Sequence, residues 1–370
     1  MTQQRNTVMS LVKAFAIILM VMGHAEGPGF ITQFIYIFHM PVFFIAAGYF
    51  FSRRNVEEPW EFCRKRFRGL YVPMVKWSLL FLLIHNLLFT IGILNEQYGN
   101  WEGGVTHPYS LTVALQRAVH IIFSMAGYDE FLLGAFWFFR ALLVSSIVFL
   151  ILYRLLSKRS WWQGHIPTVA IIIGLTLAFT FVKIYYGLTI VTVVQGGIRE
   201  CWGVLFFGIG VAFRHYEPRI SRSKWLIPVY FAILCVAAHF KCHGMNLKPV
   251  PIDVLTLPIT GIIGFLMLHN IASLVDRLSG RVKQALVWTG DNTVAVYVWH
   301  ISAFKVVSAI KIWYYGLDWG QIGCHMVVHE HAATDGFFIL YTIVGVGLPL
   351  LWLAGYRKIR NFALSKFNRR

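Results

Sequence analysis

The stretch KAFAIILMVMGHAEG, residues 13–27, places a continuous apolar segment between two titratable side chains. Ten apolar or small residues run from Ala14 to Gly23, with Lys13 before them and His24 after them. Apolar segments recur along the chain at about the twenty-residue length that crosses the hydrocarbon core of a bilayer as a helix. The sequence therefore predicts an all-α, polytopic integral membrane protein.

The composition agrees with this fold class. Of the 370 residues, 57% are hydrophobic and 13% are charged, whereas soluble domains average about 25% charged residues. We expect a single transmembrane domain over residues 1–370 with about ten helices. Their expected bounds are about 8–25, 33–51, 71–93, 132–153, 166–183, 189–213, 225–240, 252–271, 287–309 and 337–356.

The net charge of +17 follows the expected topology. Lys and Arg concentrate in the C-terminal tail and in the connections at 52–70, 154–165, 214–224 and 272–286, which alternate spans place on one side. Because cytoplasmic loops carry the excess of Lys and Arg, both termini are predicted to be cytoplasmic. No basic stretch is interleaved with aromatic residues as in nucleic-acid-binding modules, so the expected partner is membrane lipid and not nucleic acid.

Lys13 and His24 are eleven residues apart. On an α-helix this spacing is three turns plus about 20°, so both side chains lie on one face, about 16 Å apart along the axis. The spacing suits a long ligand held at two points. It equally suits a Lys13 that extends to the cytoplasmic headgroups and a His24 that only ends the helix.

The second apolar segment begins with FIYIFHMPVFF, in which His39 precedes a proline that disrupts helical hydrogen bonding. The turn between the first two spans is short, so His24, Glu26 and His39 are expected to converge near it. A carboxylate beside an imidazole fixes its tautomer and raises its basicity, as a general base requires. The alternative is a hydrogen bond from His39 to a backbone carbonyl that the proline leaves unpaired.

Two loops on the expected outer side contain cysteine and histidine. Cys242 and Cys324 lie where a disulfide is permitted, but the sequence does not give their distance. The segment CHMVVHEHAATD, residues 324–335, is rich in histidine without a defined zinc motif. We predict an exposed polar loop and no metal.

Several segments, in order along the chain, resemble acyltransferase family 3. Lys13-x10-His24 resembles the family's Arg-x10-His pattern, and FHMPVFFIAAGYFF resembles the second span of a branch of sugar O-acetylases. RKRFRGLYVPMVKW, FWFFRALLVSS and TGDNTVAVYVWH resemble its basic loop, its Trp-Phe-Leu segment and a late segment ending in His300. Three positions depart from the pattern: Lys13 replaces Arg and loses the bidentate fork, Gly69 replaces a second Arg, and Thr293 replaces Ser.

The resemblance implies transfer of an acyl group, usually acetyl, from acetyl-CoA to a hydroxyl of a carbohydrate or glycolipid at a bacterial-type inner membrane. His24 is expected to act as the general base. Glu26 or His39 would orient it. Lys13 would hold a CoA phosphate or stabilise the developing oxyanion. Intramembrane charges are also typical of transporters, so a multi-span permease is the alternative.

The remaining candidates divide into donor and acceptor contacts. Arg64, Arg66 and Arg68 form a basic cluster suited to the phosphates of CoA, or simply follow the positive-inside pattern. Charges and aromatic rings inside the membrane are candidates for substrate contact, with a structural ion pair or ordinary packing as the alternatives. These candidates are Trp137, Arg140, Arg199, Glu200, Tyr297 and His300.

Overall fold

The computed structural model describes residues 6–101, 105–157, 165–191, 193–245 and 247–367. Within these ranges the secondary structure is helical and contains no strand. The α-helices are α1 (Thr7–His24), α2 (Gly29–Tyr36), α3 (His39–Tyr49), α4 (Arg53–Glu57), α5 (Pro59–Arg66), α6 (Val72–Thr90), α7 (Glu96–Gly99), α8 (Leu111–Ser124), α9 (Glu130–Leu133), α10 (Trp137–Ser157), α11 (His165–Tyr185), α12 (Ile198–Tyr216), α13 (Leu226–His239), α14 (Asp253–Asp276), α15 (Arg281–Asp291), α16 (Thr293–Tyr315) and α17 (Phe337–Phe367).

Nine helical segments in the described part of the chain are long and apolar enough to cross a bilayer. Together they confirm the all-α, polytopic membrane class. They are Thr7–His24, Gly29–Tyr49, Pro59–Thr90, Trp137–Ser157, His165–Tyr185, Val194–Arg219, Asp253–Asp276, Thr293–Tyr315 and Phe337–Ser365.

The tenth expected span corresponds to α13, which has only 14 residues and is about 21 Å long. Its two ends lie at opposite levels of the helix bundle. Before α13, the Ser223 carbonyl accepts a hydrogen bond from Asn270, near the end of α14. After α13, the Cys242 carbonyl accepts one from Gln33 in α2, at 2.6 Å. The short helix therefore connects the same two levels as its longer neighbours.

Helix α1 lies at the centre of the bundle, packed against α3, α14, α15, α16 and α17. Leu11, Val12, Ala14 and Ala16 point in different directions around the helix, and all are fully buried. Because side chains on all sides of α1 are buried in the protein, other helices and not lipid surround it. The face shared by Lys13 and His24 is therefore inside the protein.

Helices α3 and α12 approach to backbone contact. A Cβ atom on Gly48 would lie 2.0 Å from the Phe207 carbonyl oxygen, and one on Gly210 would lie 2.0 Å from the Ile45 carbonyl oxygen. Small residues at helix interfaces allow such close packing where the surrounding lipid is as apolar as the side chains. This contact fixes α3, and with it the wall of the site described below.

The amphipathic segment LTVALQRAVHIIF, residues 111–123, forms α8, which Ser110 caps through a hydrogen bond from the Val113 amide. Its large apolar residues Leu111, Leu115 and Phe123 are more than half exposed. Such a helix suits the headgroup region of a bilayer.

Candidate active site

Lys13 lines a cavity of about 200 Å³ in the half of the bundle that contains the start of α1. The cavity walls are largely apolar, with Phe43 from α3, Leu142 from α10 and Thr293 from α16. Ile17, one turn after Lys13, also faces this space. The cavity is therefore an apolar chamber with Lys13 on its wall.

Tyr297 forms the cavity wall nearest to the other end of α1. Its hydroxyl donates to the Ala135 carbonyl oxygen, and its ring stacks on Phe136 and meets Phe138 edge to face. The ring predicted to stack on a sugar is thus held in an aromatic layer. This layer separates the cavity from His24, which does not line it.

His24 lies on the far side of this layer, where it meets His300. The Nδ1 atom of His24 and the Nε2 atom of His300 are 2.9 Å apart, and the two rings stack with their centroids 5.2 Å apart. His300 is 1% exposed, whereas His24 is partly exposed. One imidazole is therefore fully buried behind another that is partly exposed.

The backbone under His300 determines the protonation of both rings. The Nδ1 atom of His300 lies 3.2 Å from the Val296 carbonyl and 3.0 Å from the Tyr297 carbonyl. Carbonyl oxygens only accept, so His300 Nδ1 carries the proton and Nε2 of the neutral ring is an acceptor. His24 must then donate from Nδ1, and its Nε2 lone pair is left available to take a proton.

Neither His39 nor Glu26 is hydrogen-bonded to His24. The Nδ1 atom of His39 bonds to the Ile35 carbonyl at 2.9 Å, at the break between α2 and α3, which is the alternative that the proline suggested. The ring of Tyr36 lies between His39 and His24, at centroid distances of 5.3 and 6.5 Å. Glu26 instead accepts from His329, at 2.7 Å.

The connection between α16 and α17 covers this end of the site. Two buried lysines of α16 hold it: Lys305 donates to the carbonyls of Ile322 and Cys324 at 2.8 and 2.6 Å, and Lys311 pairs with Asp335 at 2.8 Å. Lysines are seldom fully buried unless paired, and here backbone and carboxylate oxygens supply the partners. The segment predicted to be an exposed loop is thus fastened to the helix bundle.

The three histidines of this connection face different groups. His329 pairs with Glu26, the ring of His325 packs on Phe131 at 5.0 Å, and the ring of His331 packs on Tyr315 at 4.7 Å. Among the residues that the structure describes, no cluster of three or more His, Cys, Asp or Glu is arranged to hold a metal. Burial, together with the nearby charge of Lys305, lowers the pKa of His325 below its usual value.

The cysteines of the outer loops are not joined. All five cysteines lie in the described residues and are free thiols. Cys324 is fully buried next to Lys305, and burial raises the pKa of its thiol. The disulfide that the sequence left open between Cys242 and Cys324 is therefore absent.

The basic cluster is split between protein and solvent. Arg66 turns inward, over the rings of Phe62 and Phe207, and donates to the carbonyl of Ala47, a residue of the cavity wall. Arg64 and Arg68 are exposed, and Arg64 pairs with a neighbouring glutamate at 3.6 Å. Only Arg66 lies beside the cavity that contains Lys13.

Arg199 and Glu200, although adjacent, have different partners. Glu200 accepts from Arg140 on α10 at 3.0 Å, and both side chains are buried. Arg199 lies 4.1 Å from the ring centre of Trp137 and donates to Gln195 at 3.2 Å. Arg140 and Glu200 thus form an internal ion pair between α10 and α12, whereas Arg199 remains partly exposed.

Two features of the site were missed in the sequence. His300 was expected to contact substrate and not His24, because no spacing links positions 276 residues apart. His85 and Asp129 form a second buried pair on the outer side, with Tyr109 stacked on the imidazole at 3.7 Å. Only a three-dimensional arrangement reveals either pair.

The fold and the site define a multi-pass membrane protein with a hydrogen-bonded histidine pair beyond an apolar chamber. The family profile described as acyltransferase domain, that of acyltransferase family 3, matches residues 6–351, and the chain belongs to this family. It is therefore a membrane acyltransferase and not the permease that its intramembrane charges would also suit. No curated protein and no solved structure matches the chain significantly.

Proposed function

We propose that this acyltransferase moves an acyl group, acetyl being the first candidate, from acyl-CoA to a hydroxyl of a cell-surface carbohydrate or glycolipid. The observation that carries the proposal is the hydrogen-bonded pair of His24 and His300. A sugar hydroxyl is a weak nucleophile near neutral pH, and a positioned base assists its attack. His24 Nε2 is the base, and His300 is the group that orients it.

The two imidazole rings account for every proton transfer in the reaction. His24 Nε2 takes the hydroxyl proton as the acceptor oxygen forms a bond to the thioester carbonyl carbon. The carbon–sulfur bond then breaks, and CoA leaves as its thiol with the proton that His24 returns. Between these steps the positive charge on His24 is stabilised by its hydrogen bond to His300 Nε2, as the third group does in a catalytic triad.

In this proposal Lys13 binds the acyl donor and does not stabilise the oxyanion that forms at the reacting carbon. Eleven residues of helix separate it from His24 by about 16 Å, too far for a shared oxyanion. Its place on the cavity wall, with Arg66 beside Ala47, supports a role for both cations on the anionic portion of CoA. The acyl-pantetheine arm would occupy the apolar chamber, and the aromatic layer that contains Tyr297, which separates the chamber from His24 in this structure, would have to open for the thioester to reach His24.

The two substrates are proposed to approach from opposite sides of a bacterial-type inner membrane. The basic loop and the chamber belong to the half expected to face the cytoplasm, where acyl-CoA is made. His24 lies at the other end of α1, beneath the connection that carries His329. The partly exposed Arg199 and the buried Trp137 against which it packs remain candidates for acceptor contacts.

Mass spectrometry of surface carbohydrates tests this function. Cells that carry the gene should contain a carbohydrate with an added acyl mass that is absent when the gene is deleted. Re-expression of the native chain should restore the acyl mass, and re-expression of His24→Ala at the same membrane level should not. Identical carbohydrates with and without the gene would refute the proposed acceptor class.

A further inference from the structure

A groove of about 490 Å³ runs along the outside of the bundle between α6, α16 and α17, apart from the site of His24. Three tryptophans form its apolar wall. Trp77 meets Trp299 edge to face at 5.1 Å, and Trp299 meets Trp352 in the same way at 5.9 Å. Trp352 is 48% exposed, so this wall is open to the surroundings of the bundle.

Two cations lie at one end of this tryptophan groove. Lys76 is exposed, with its ammonium group 4.7 Å from the ring centre of Trp77. Arg357 is exposed as well, and donates to the side-chain oxygen of Asn292 at 2.6 Å. The one acidic residue of the groove, Asp291, accepts from Ser10 on α1 at 2.7 Å. With two cations and one carboxylate, this end of the groove carries a net positive charge.

The groove has a cationic end and an apolar wall, which suits a ligand with an anionic headgroup and an apolar chain. The cations mark the level at which α15 ends and α16 begins, and Trp299 lies further along α16, towards the membrane interior. Lys and Arg that border a membrane attract anionic headgroups, and tryptophan favours the boundary between headgroups and acyl chains. A small inorganic anion would gain nothing from the tryptophan wall.

We propose that the tryptophan groove binds one anionic phospholipid of the cytoplasmic leaflet. Lys76 and Arg357 hold the phosphate of the headgroup, and an acyl chain lies against Trp77, Trp299 and Trp352. The site is independent of the acyl-transfer chemistry. Because Asn292 links Arg357 to the start of α16, the bound lipid also braces the helix that carries His300.

Native mass spectrometry of the purified protein with phosphatidylglycerol tests this site. The variant K76Q/R357Q should bind the first lipid roughly 30-fold more weakly, since each cation near an anionic surface contributes about fivefold in affinity. The matched control R64Q/K358Q removes two exposed cytoplasmic-side cations outside the groove and should bind like the native chain. The swap K76R/R357K keeps both charges and should retain binding.

Four results would overturn the proposal. They are equal binding by K76Q/R357Q and the native chain, an equal loss in R64Q/K358Q, equal affinity for zwitterionic phosphatidylcholine, and displacement of the lipid by CoA. The last would assign the groove to the nucleotide of the acyl donor. Because lipid is counted directly, the outcome does not depend on acyl transfer.

Discussion

Two backbone carbonyls under His300 fix the tautomer in which its ring meets His24. They accept hydrogen bonds from the Nδ1–H group of His300, which leaves the Nε2 atom of this ring to accept a hydrogen bond from His24. In serine proteases a carboxylate performs this task. Here a neutral ring does so, which avoids placing a charged carboxylate in an apolar interior.

His300→Ala should therefore reduce the acyl-transfer rate more than His39→Gln. Without the acceptor at His300, the proton of neutral His24 is no longer held on Nδ1 and can also occupy Nε2, where it blocks the base. This change should lower kcat by roughly 10- to 100-fold, with little change in KM for acyl-CoA. His39→Gln keeps a donor for the Ile35 carbonyl and should change kcat by only a few-fold. Steady-state kinetics with both variants checks the order, and a larger loss in His39→Gln would contradict it.

At the level of helices and loops, packing determines which side chains become partners, and residue patterns alone do not. The Lys13 and His24 stripe, the break before α3 and the helical character of α8 all follow from local sequence. The partner of Glu200 does not, because its neighbour Arg199 and the distant Arg140 are equally plausible in one dimension. Contacts across helices depend on rotation and register, which the apolar pattern of a membrane helix specifies poorly.

The contact between α3 and α12 gives a direct test of helix packing. Gly210→Ala places a methyl group against the Ile45 carbonyl and should destabilise the protein by about 1–3 kcal/mol. Gly174→Ala on α11 meets no atom within 4 Å and should leave stability unchanged or slightly higher. Thermal unfolding in detergent measures both. Equal melting temperatures would show that α3 and α12 are further apart than described.

The connection between α16 and α17 should loosen in acid. The pKa of His325 is lowered in the folded state, so protonation favours an open connection in which the pKa returns to about 6.5. The stability of the connection is therefore complete above about pH 6.5 and falls as the pH drops towards the lower, folded pKa. Glu26 faces His325 and opposes this effect in part.

Hydrogen exchange measures this acid dependence. Protection factors of amides in residues 319–336, corrected for the intrinsic effect of pH, should fall between about pH 7 and pH 5. His325→Gln should remove most of this slope. An unchanged slope in that variant would place the titrating group elsewhere.

At the scale of the whole molecule, the number of membrane crossings depends on α13. Nine segments in the described ranges meet the length of a span, and α13 alone among the ten expected helices falls short of it. Composition and hydropathy were sufficient to predict the class and the approximate positions of the spans, whereas the cytoplasmic placement of both termini, which rests on charge asymmetry, stays a prediction. They do not reveal that a short helix connects the levels of Asn270 and Gln33, because hydrogen bonds to other helices define those levels.

Cysteine labelling tests whether α13 crosses the membrane. In a cysteine-free chain, a cysteine in place of Lys248 should react with an impermeant maleimide added to spheroplasts, in which the outer surface of the inner membrane is accessible. A cysteine in place of Ser221 should react only after the membrane is opened, because α13 separates the two positions. Labelling of both from the same side would reduce the number of crossings and place the termini on opposite sides.

The role that we propose for His24 is that of the general base in acyl transfer. Its most direct test is release of free CoA from acyl-CoA by the purified protein in lipid vesicles, with and without a carbohydrate acceptor. The native chain should release CoA only with acceptor, and a folded His24→Ala variant should be slower by roughly 10²- to 10⁴-fold. A folded His24→Ala protein that transfers the acyl group at the native rate would contradict the claim.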